Sequence, residues 1–235
     1  MNLYKIYKLL LDHFGEQGWW PTTKEGGYKP EHRGERPKVE KERLEIVVGA
    51  ILTQNTSWKN VEKAIENLNR KGLMDIHKLN HIDKKELARL IRSSGYYNQK
   101  AQRIKDFVSF VIDKYEGKLE NLFSLDIEDL RNELLSIKGI GKETADSIIL
   151  YSALKPIFVI DAYTKRIVER LGITNDKDYD QLQRIFMESL PKDQKIFAEY
   201  HALLVRLGKE YCKKREPRCK DCPLRKLCKY PKSMV

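Results

Sequence analysis

The chain has 235 residues, 41% of them hydrophobic and 34% charged, with a formal net charge of +11. That is long enough for one large or two small domains with a real core, and no apolar run approaches the roughly 18 residues of a membrane span. The opening MNLYKIYKLLLDHFGEQGWW carries acidic residues where a leader would be apolar and lacks a small-residue cleavage site, so a cytoplasmic setting with reduced thiols is expected.

Leu3, Ile6, Leu9, Leu10 and Phe14 predict a helix over 2–14. A loop rich in Gly, Pro and charge follows, from about Gly18 to Pro37. The next helix runs from about Val39 to Thr53, and its IVVGAIL half reads as fully buried. Thr56 or Ser57 can cap a helix through about Leu68, and Asp83 followed by Glu86 resembles a capping box. A long amphipathic helix covers about 97–115, and Asp126 caps IEDLRNELLSI. Later helices cover roughly 142–154, 162–171, 178–189 and 192–211. The one candidate strand is IFVI, residues 157–160, which is too short to decide. No repeat of 20–50 residues is present, and the expected class is all-α.

Residues Leu134 to Leu150 read LLSIKGIGKETADSIIL. One apolar helix ends, Lys138-Gly139-Ile140-Gly141-Lys142 turns, and a second apolar helix begins. Two glycines permit φ > 0 and a close approach of another backbone. The amides of Ile140, Gly141 and Lys142 at the new helix N-terminus would form an anion site suited to phosphate, with Ile140 anchoring the turn in the core. Gly-x-Gly alone is a weak signal, because helical hairpins also use glycine for steric reasons. The whole phrase resembles the helix-hairpin-helix motif, which grips the DNA backbone without reading sequence. Further on, Asp161 in KPIFVIDAYTKR follows four apolar residues and precedes a helix; by itself this reads as an ordinary N-cap.

All four cysteines, Cys212, Cys219, Cys222 and Cys228, fall at the end, after 211 residues with none. Lys209 to Lys229 holds nine Lys and Arg against three Asp and Glu, a net of +6. A solubilising tail is the plain reading of that charge, and a nucleic-acid surface the better one, because the run surrounds a rigid cluster. Zinc with four cysteine ligands and an iron–sulfur cluster both suit four clustered thiols. The Cys222-Pro223 pair and the uneven C-x6-C-x2-C-x5-C spacing favour the cluster.

Taken in order, the hairpin, the Pro-containing loop, Val-Ile-Asp and the cysteine tail resemble the helix-hairpin-helix-Gly/Pro-Asp DNA glycosylases over about residues 40–230. The cysteine spacing resembles the [4Fe-4S] loop of the endonuclease III branch. The resemblance implies an all-α, two-domain fold with the DNA site between the domains. Residues 38–150 would form a six-helix barrel with the hairpin, and 1–37 plus 151–235 a second helical domain with the cluster loop at about 212–228. It implies that Asp161 is the catalytic carboxylate, stabilising an oxocarbenium-like transition state and orienting or deprotonating water. The four cysteines would hold a [4Fe-4S] cluster, with Lys213, Lys214 and Arg215 between the first two ligands facing DNA. Gly139, Ile140, Gly141 and Lys142 would hold the backbone. Gln54 in AILTQNTSW would plug the gap left by a flipped base, and Tyr96 in SSGYYNQKA would act as a wedge, supported by Asn98 and Lys100. A core tyrosine is the plain alternative for Tyr96.

The departure comes at Glu143. Bifunctional members carry a lysine at this position that attacks C1′ and forms a Schiff base. Glutamate cannot form an imine, so a monofunctional enzyme using water is expected, with Glu143 positioning that water or capping the helix. Lys142 is adjacent, but one residue along a helix turns a side chain about 100°. Trp19-Trp20-Pro21 resembles an element of the 3-methyladenine DNA glycosylase III branch, and stacked indoles suit a cationic alkylated base. Against that, residues 44–52 offer no second aromatic, and one tryptophan could simply anchor the N-terminal arm. The glutamate-for-lysine pattern is similar to archaeal uracil glycosylases. The expected partner is double-stranded DNA with a damaged base, acted on by a monomeric, nucleoid-associated prokaryotic protein. The alternatives are an endonuclease III-type glycosylase/AP lyase and a non-catalytic DNA-binding iron–sulfur protein.

Overall fold

The computed structural model describes residues 2–230, which are 60% helical with almost no strand. In chain order the elements are α1 (Leu3–Phe14), a ribbon of β1 (Thr22–Thr23) and β2 (Pro30–Glu31), α2 (Glu40–Leu52), α3 (Trp58–Arg70), α4 (Ile76–His81), α5 (Lys84–Leu90) and α6 (Tyr97–Tyr115). Then come α7 (Leu119–Phe123), α8 (Ile127–Ser136), α9 (Lys142–Ser147), α10 (Ala162–Leu171), α11 (Tyr179–Ser189) and α12 (Gln194–Glu210). The chain divides into a central unit, Trp20–Lys155, and a terminal unit, Met1–Trp19 with Pro156–Val235.

The central unit is built around α2. Every residue from Leu44 to Leu52 is buried. A helix that is apolar on all sides must be surrounded, and α3, α6, α7 and the π turn Ile148–Ser152 pack on it. Aspartates cap as the sequence suggests: Asp83 accepts from Lys85 and Glu86 amides, and Asp126 accepts from Asp129. Helices α4 and α7 were not foreseen, because six and five residues are too few to display a helical period. The helix expected over 142–154 changes to π geometry at Ile148.

The loop before α2 belongs to the central unit, whereas the sequence division joined residues 1–37 to the other domain. The cause is a buried polar clamp. Glu45, 1% exposed, accepts from Thr23 N (2.8 Å), Thr23 Oγ1 (3.0 Å) and Asn69 Nδ2 (3.0 Å). Arg33 donates to Glu42 at 2.8 Å. Burial pushes the Glu45 carboxyl above the usual carboxylate range, opposed by the bonds from Asn69 and Thr23. Trp20 is part of the same anchor. It packs edge-on against Trp58 and Tyr151 at 5.5 and 5.2 Å between ring centroids. A Cβ on Gly49 would come within 3.1 Å of its Nε1.

The terminal unit joins α1, α10, α11 and α12. Leu3, Ile6 and Leu10 of α1, Ile167 and Val168 of α10, and Phe197, Leu203, Leu204 and Leu207 of α12 are all buried. Phe158 stacks on Phe186 at 4.2 Å and 14°. Residues 157–160 are buried but lie in no sheet. Side chains of α11 bond two of their backbone groups: Gln183 Nε2 donates to Phe158 O at 2.6 Å, and Ile160 N–H donates to Tyr179 Oη at 3.3 Å. Glu199 accepts from Gln17 N at 2.6 Å and Arg206 donates to Phe14 O at 3.1 Å, so α12 fixes the arm that leads to Trp19. No helix among the described residues is long and apolar enough to cross a membrane.

Candidate active site

In the central unit, α8 and α9 form the hairpin. Gly139 sits at φ +88°, a left-handed value that excludes ordinary side chains. Ile140 is 4% exposed, so its side chain enters the core. Its N–H donates to Ile137 O at 3.1 Å, which removes that amide from the expected anion site. Gly141 is extended (φ −95°, ψ 175°) and needs no left-handed freedom. It has open space where a Cβ would point, which leaves room for a close neighbour. Arg131 on α8 grips Asp146 on α9 with two bonds, Nε to Oδ1 at 2.7 Å and Nη2 to Oδ2 at 3.1 Å, and Asp146 is fully buried. Glu143 is exposed on the first turn of α9, next to half-buried Lys142.

The same unit brings Gln54 onto the hairpin. Its Nε2 donates to Thr144 Oγ1 at 2.8 Å and to Gly139 O at 3.3 Å, while its Oε1 accepts from Arg103 Nη1. Tyr96 is 66% exposed, which overturns the core alternative. It holds φ 46°, ψ 32°, a left-handed conformation costing a non-glycine residue about 1–2 kcal/mol. Beneath both loops lies Lys100, 1% exposed, whose Nζ donates to Leu52 O at 2.8 Å and Ser94 O at 2.7 Å. Burial, with Arg103 adding to it, pushes its ammonium down to about 8. Asn98 is exposed. The strain at Tyr96 makes a testable claim on stability: Tyr96→Gly is expected to keep the melting temperature or raise it, and a clear fall in thermal denaturation would contradict strain at this position.

In the terminal unit, Asp161 caps α10 and is 8% exposed. One carboxylate oxygen accepts from Thr164 N at 2.7 Å. The other stands 3.7 Å from His201 Nε2, beyond hydrogen-bond length. Burial lowers the His201 pKa, with Asp161 pulling the other way, so the imidazole is neutral at pH 7. Lys209 Nζ lies 6.0 Å above the Trp19 ring. Burial lowers the Lys209 pKa too, and again Asp161 opposes the shift. The structure therefore gathers Asp161, His201, Lys209 and Trp19, of which sequence reading found only the first and last. His201 sits among apolar residues on an amphipathic helix and Lys209 opens a long basic run, so neither carried a signal.

The four cysteines line one apolar pocket together with Arg170 and Tyr211. Arg170 Nη1 lies 3.4 Å from Cys212 Sγ and donates to Lys213 O at 2.7 Å, and Arg166 Nε donates to Cys212 O at 2.8 Å. Helix α10 thus carries Asp161 at its start and holds the cysteine loop further along. Lys213, Lys214 and Arg215 are exposed. Burial, with the neighbouring thiols, pushes the Cys222 thiol up to about 11, a shift that a bound cation would reverse. Among the described residues no three His, Cys, Asp or Glu side chains converge as a ligand set for one metal ion.

The profile of the HhH-GPD superfamily of base excision DNA repair proteins matches residues 48–192, more than half of the chain. The chain belongs to this superfamily. A Methanocaldococcus jannaschii protein named provisionally as a DNA repair glycosylase is 47% identical over 229 residues, 96% of this chain and 95% of its own length. The endonuclease III of Thermotoga maritima is 27% identical over 199 residues, 83% of this chain and 86% of its own. Among solved structures, the 3-methyladenine DNA glycosylase of H. pylori bound to 1,N6-ethenoadenine superposes with a TM-score of 0.73 at 28% identity. That match covers 89% of this chain and 98% of the other. A non-covalent endonuclease III–DNA complex superposes at 0.77 over 99% and 96% of the two chains; at 23% identity it speaks for the fold alone. This HhH-GPD protein is thus a member of a DNA glycosylase family with the all-α fold read from its motifs.

Proposed function

We propose that this protein is a monofunctional DNA glycosylase that releases a base leaving as an anion, uracil foremost, through attack of water assisted by Asp161. The observation that carries this is the setting of Asp161. Thr164 N–H fixes one carboxylate oxygen, and the other faces a neutral histidine. As the C1′–N bond breaks, its electron pair leaves with the base and positive charge grows on the sugar. The Asp161 carboxylate stabilises that charge. Water then adds to C1′ and gives its proton to Asp161. Glu143 cannot form an imine, so no covalent intermediate forms at that position; it positions the water or caps α9.

Gln54 fills the gap left by the flipped nucleotide and Tyr96 wedges the stack. Gly139, Ile140, Gly141 and Lys142 lie along the backbone, and Lys213, Lys214 and Arg215 add phosphate contacts. The pocket shared by Cys212, Cys219, Cys222 and Cys228 suits a [4Fe-4S] cluster, since its donors are all thiols and an arginine N–H faces one of the sulfurs. When bound, the cluster ties the loop that displays the basic residues.

The substrate reading rests on Lys209. With Trp20 in the core and Trp58 packed edge-on against it, Trp19 is the indole proposed to meet a base, and Lys209 places a cation above its ring. A cation there repels a cationic alkylpurine and stabilises departing uracil. The similarity to a 3-methyladenine glycosylase supports the second reading, an alkylated purine. Release from duplexes holding uracil, thymine opposite guanine, 3-methyladenine, hypoxanthine or 8-oxoguanine separates the two. Uracil is expected to leave at least about tenfold faster than 3-methyladenine, because like charges placed together are costly. The reverse order would assign the pocket to alkylated purines.

A further inference from the structure

We infer that Arg103 couples the hairpin's hold on the DNA backbone to insertion of Gln54. The inference rests on reading this chain as a base-flipping enzyme. Gln54 is parked on the hairpin: Thr144 Oγ1 and Gly139 O take its amide N–H groups, and Arg103 occupies its oxygen. Arg103 also lies across Gly139. A Cβ on that glycine would come within 2.6 Å of Arg103 Nε, 2.9 Å of its Cγ and 3.0 Å of its Cδ. Gly139 therefore serves two ends, the left-handed turn and the berth for an arginine. The result is a half-buried guanidinium on the turn that receives phosphate.

A guanidinium has five N–H donors in a planar fork. Phosphate oxygens accept from it in charge-assisted pairs roughly twice as strong as a neutral bond. A phosphate arriving at the hairpin thus outcompetes the Gln54 amide oxygen for Arg103. Gln54 then keeps only neutral bonds to Thr144 and Gly139 O, the latter long at 3.3 Å. The plug is released when the backbone is gripped, and stays parked when it is not. Lys100, one turn earlier on α6, bonds Leu52 O, so the root of the loop stays fixed while the glutamine side chain moves.

Arg103→Met tests this by two readouts. The salt dependence of binding to an undamaged duplex should lose one phosphate, a slope change of about 0.9. Single-turnover release should fall about tenfold from a paired duplex and less than about threefold from the same base in a single strand, where no gap needs filling. Gln54→Ala should show the same duplex-specific loss, and the double variant should be no worse than the poorer single one. Arg103→Lys keeps the charge and much of the stem but not the fork. It should keep the slope and share the duplex-specific loss, and it carries the test should Arg103→Met fail to fold. An unchanged slope in Arg103→Met, equal losses on both substrates, or additive effects with Gln54→Ala would overturn the coupling. A wild-type enzyme that releases no base would refute the reading beneath it, and the salt slope would then decide Arg103 by itself.

Discussion

Asp161→Asn is expected to lower single-turnover base release by about 10³-fold while leaving duplex affinity unchanged within about threefold. The substitution is nearly isosteric. Asparagine is as good an N-cap as aspartate, so its side-chain oxygen can still accept from Thr164 N and α10 keeps its start. What disappears is the negative charge beside the sugar and the acceptor for the proton of water. Circular dichroism and urea denaturation should match wild type. Asp161→Ala should add a loss of about 1 kcal/mol in stability from the missing cap. Release within about tenfold of wild type in Asp161→Asn would move the chemistry to another carboxylate, with Glu143 first in line.

Arg131→Met should produce the largest loss of stability, about 3–5 kcal/mol by urea denaturation. Its partner Asp146 is fully buried, and both bonds of the pair cross from α8 to α9. Removing the guanidinium leaves a carboxylate that water cannot reach. Asp146→Asn should cost less, because the amide keeps one acceptor for the arginine. Replacing both partners with apolar side chains should recover much of the loss, as it does when buried ion pairs are exchanged for packing. Since the pair clamps the hairpin helices together, the single variants should also weaken duplex binding at temperatures where the fold survives. A loss below about 1 kcal/mol in Arg131→Met would mean that the pair behaves as a surface salt bridge.

Much of this molecule was legible wherever a motif carries its own physics. The Gly139–Lys142 turn, the aspartate caps and the buried all-apolar face of α2 followed from backbone and burial rules. The gathering of the four cysteines in one pocket followed from their spacing. Three kinds of feature stayed hidden. Short helices such as α4 and α7 lack a period to detect. Residues 157–160 read like a strand, yet two of their backbone groups bond the side chains of Gln183 and Tyr179, partners 25 and 19 residues away. The polar groups around the site, His201 and Lys209 near Asp161 and Arg103 on Gln54, depend on tertiary proximity that no local spacing encodes. Of the Trp19-Trp20 pair, Trp20 is the anchoring residue that the sequence offered as the plain alternative, seated in the core where Gly49 has no side chain.

Strand scission scored with and without alkali tests the central claim most directly. Wild-type protein is incubated with a duplex holding its preferred base, split into alkali-treated and untreated portions, and a parallel sample is reduced with borohydride. Water attack assisted by Asp161 predicts base loss that breaks the strand only after alkali, and no protein–DNA adduct. Breakage without alkali, with a borohydride-trapped adduct, would contradict the account and make an amine the nucleophile, with Lys209 beside Asp161 and Lys142 beside Glu143 the side chains to substitute next.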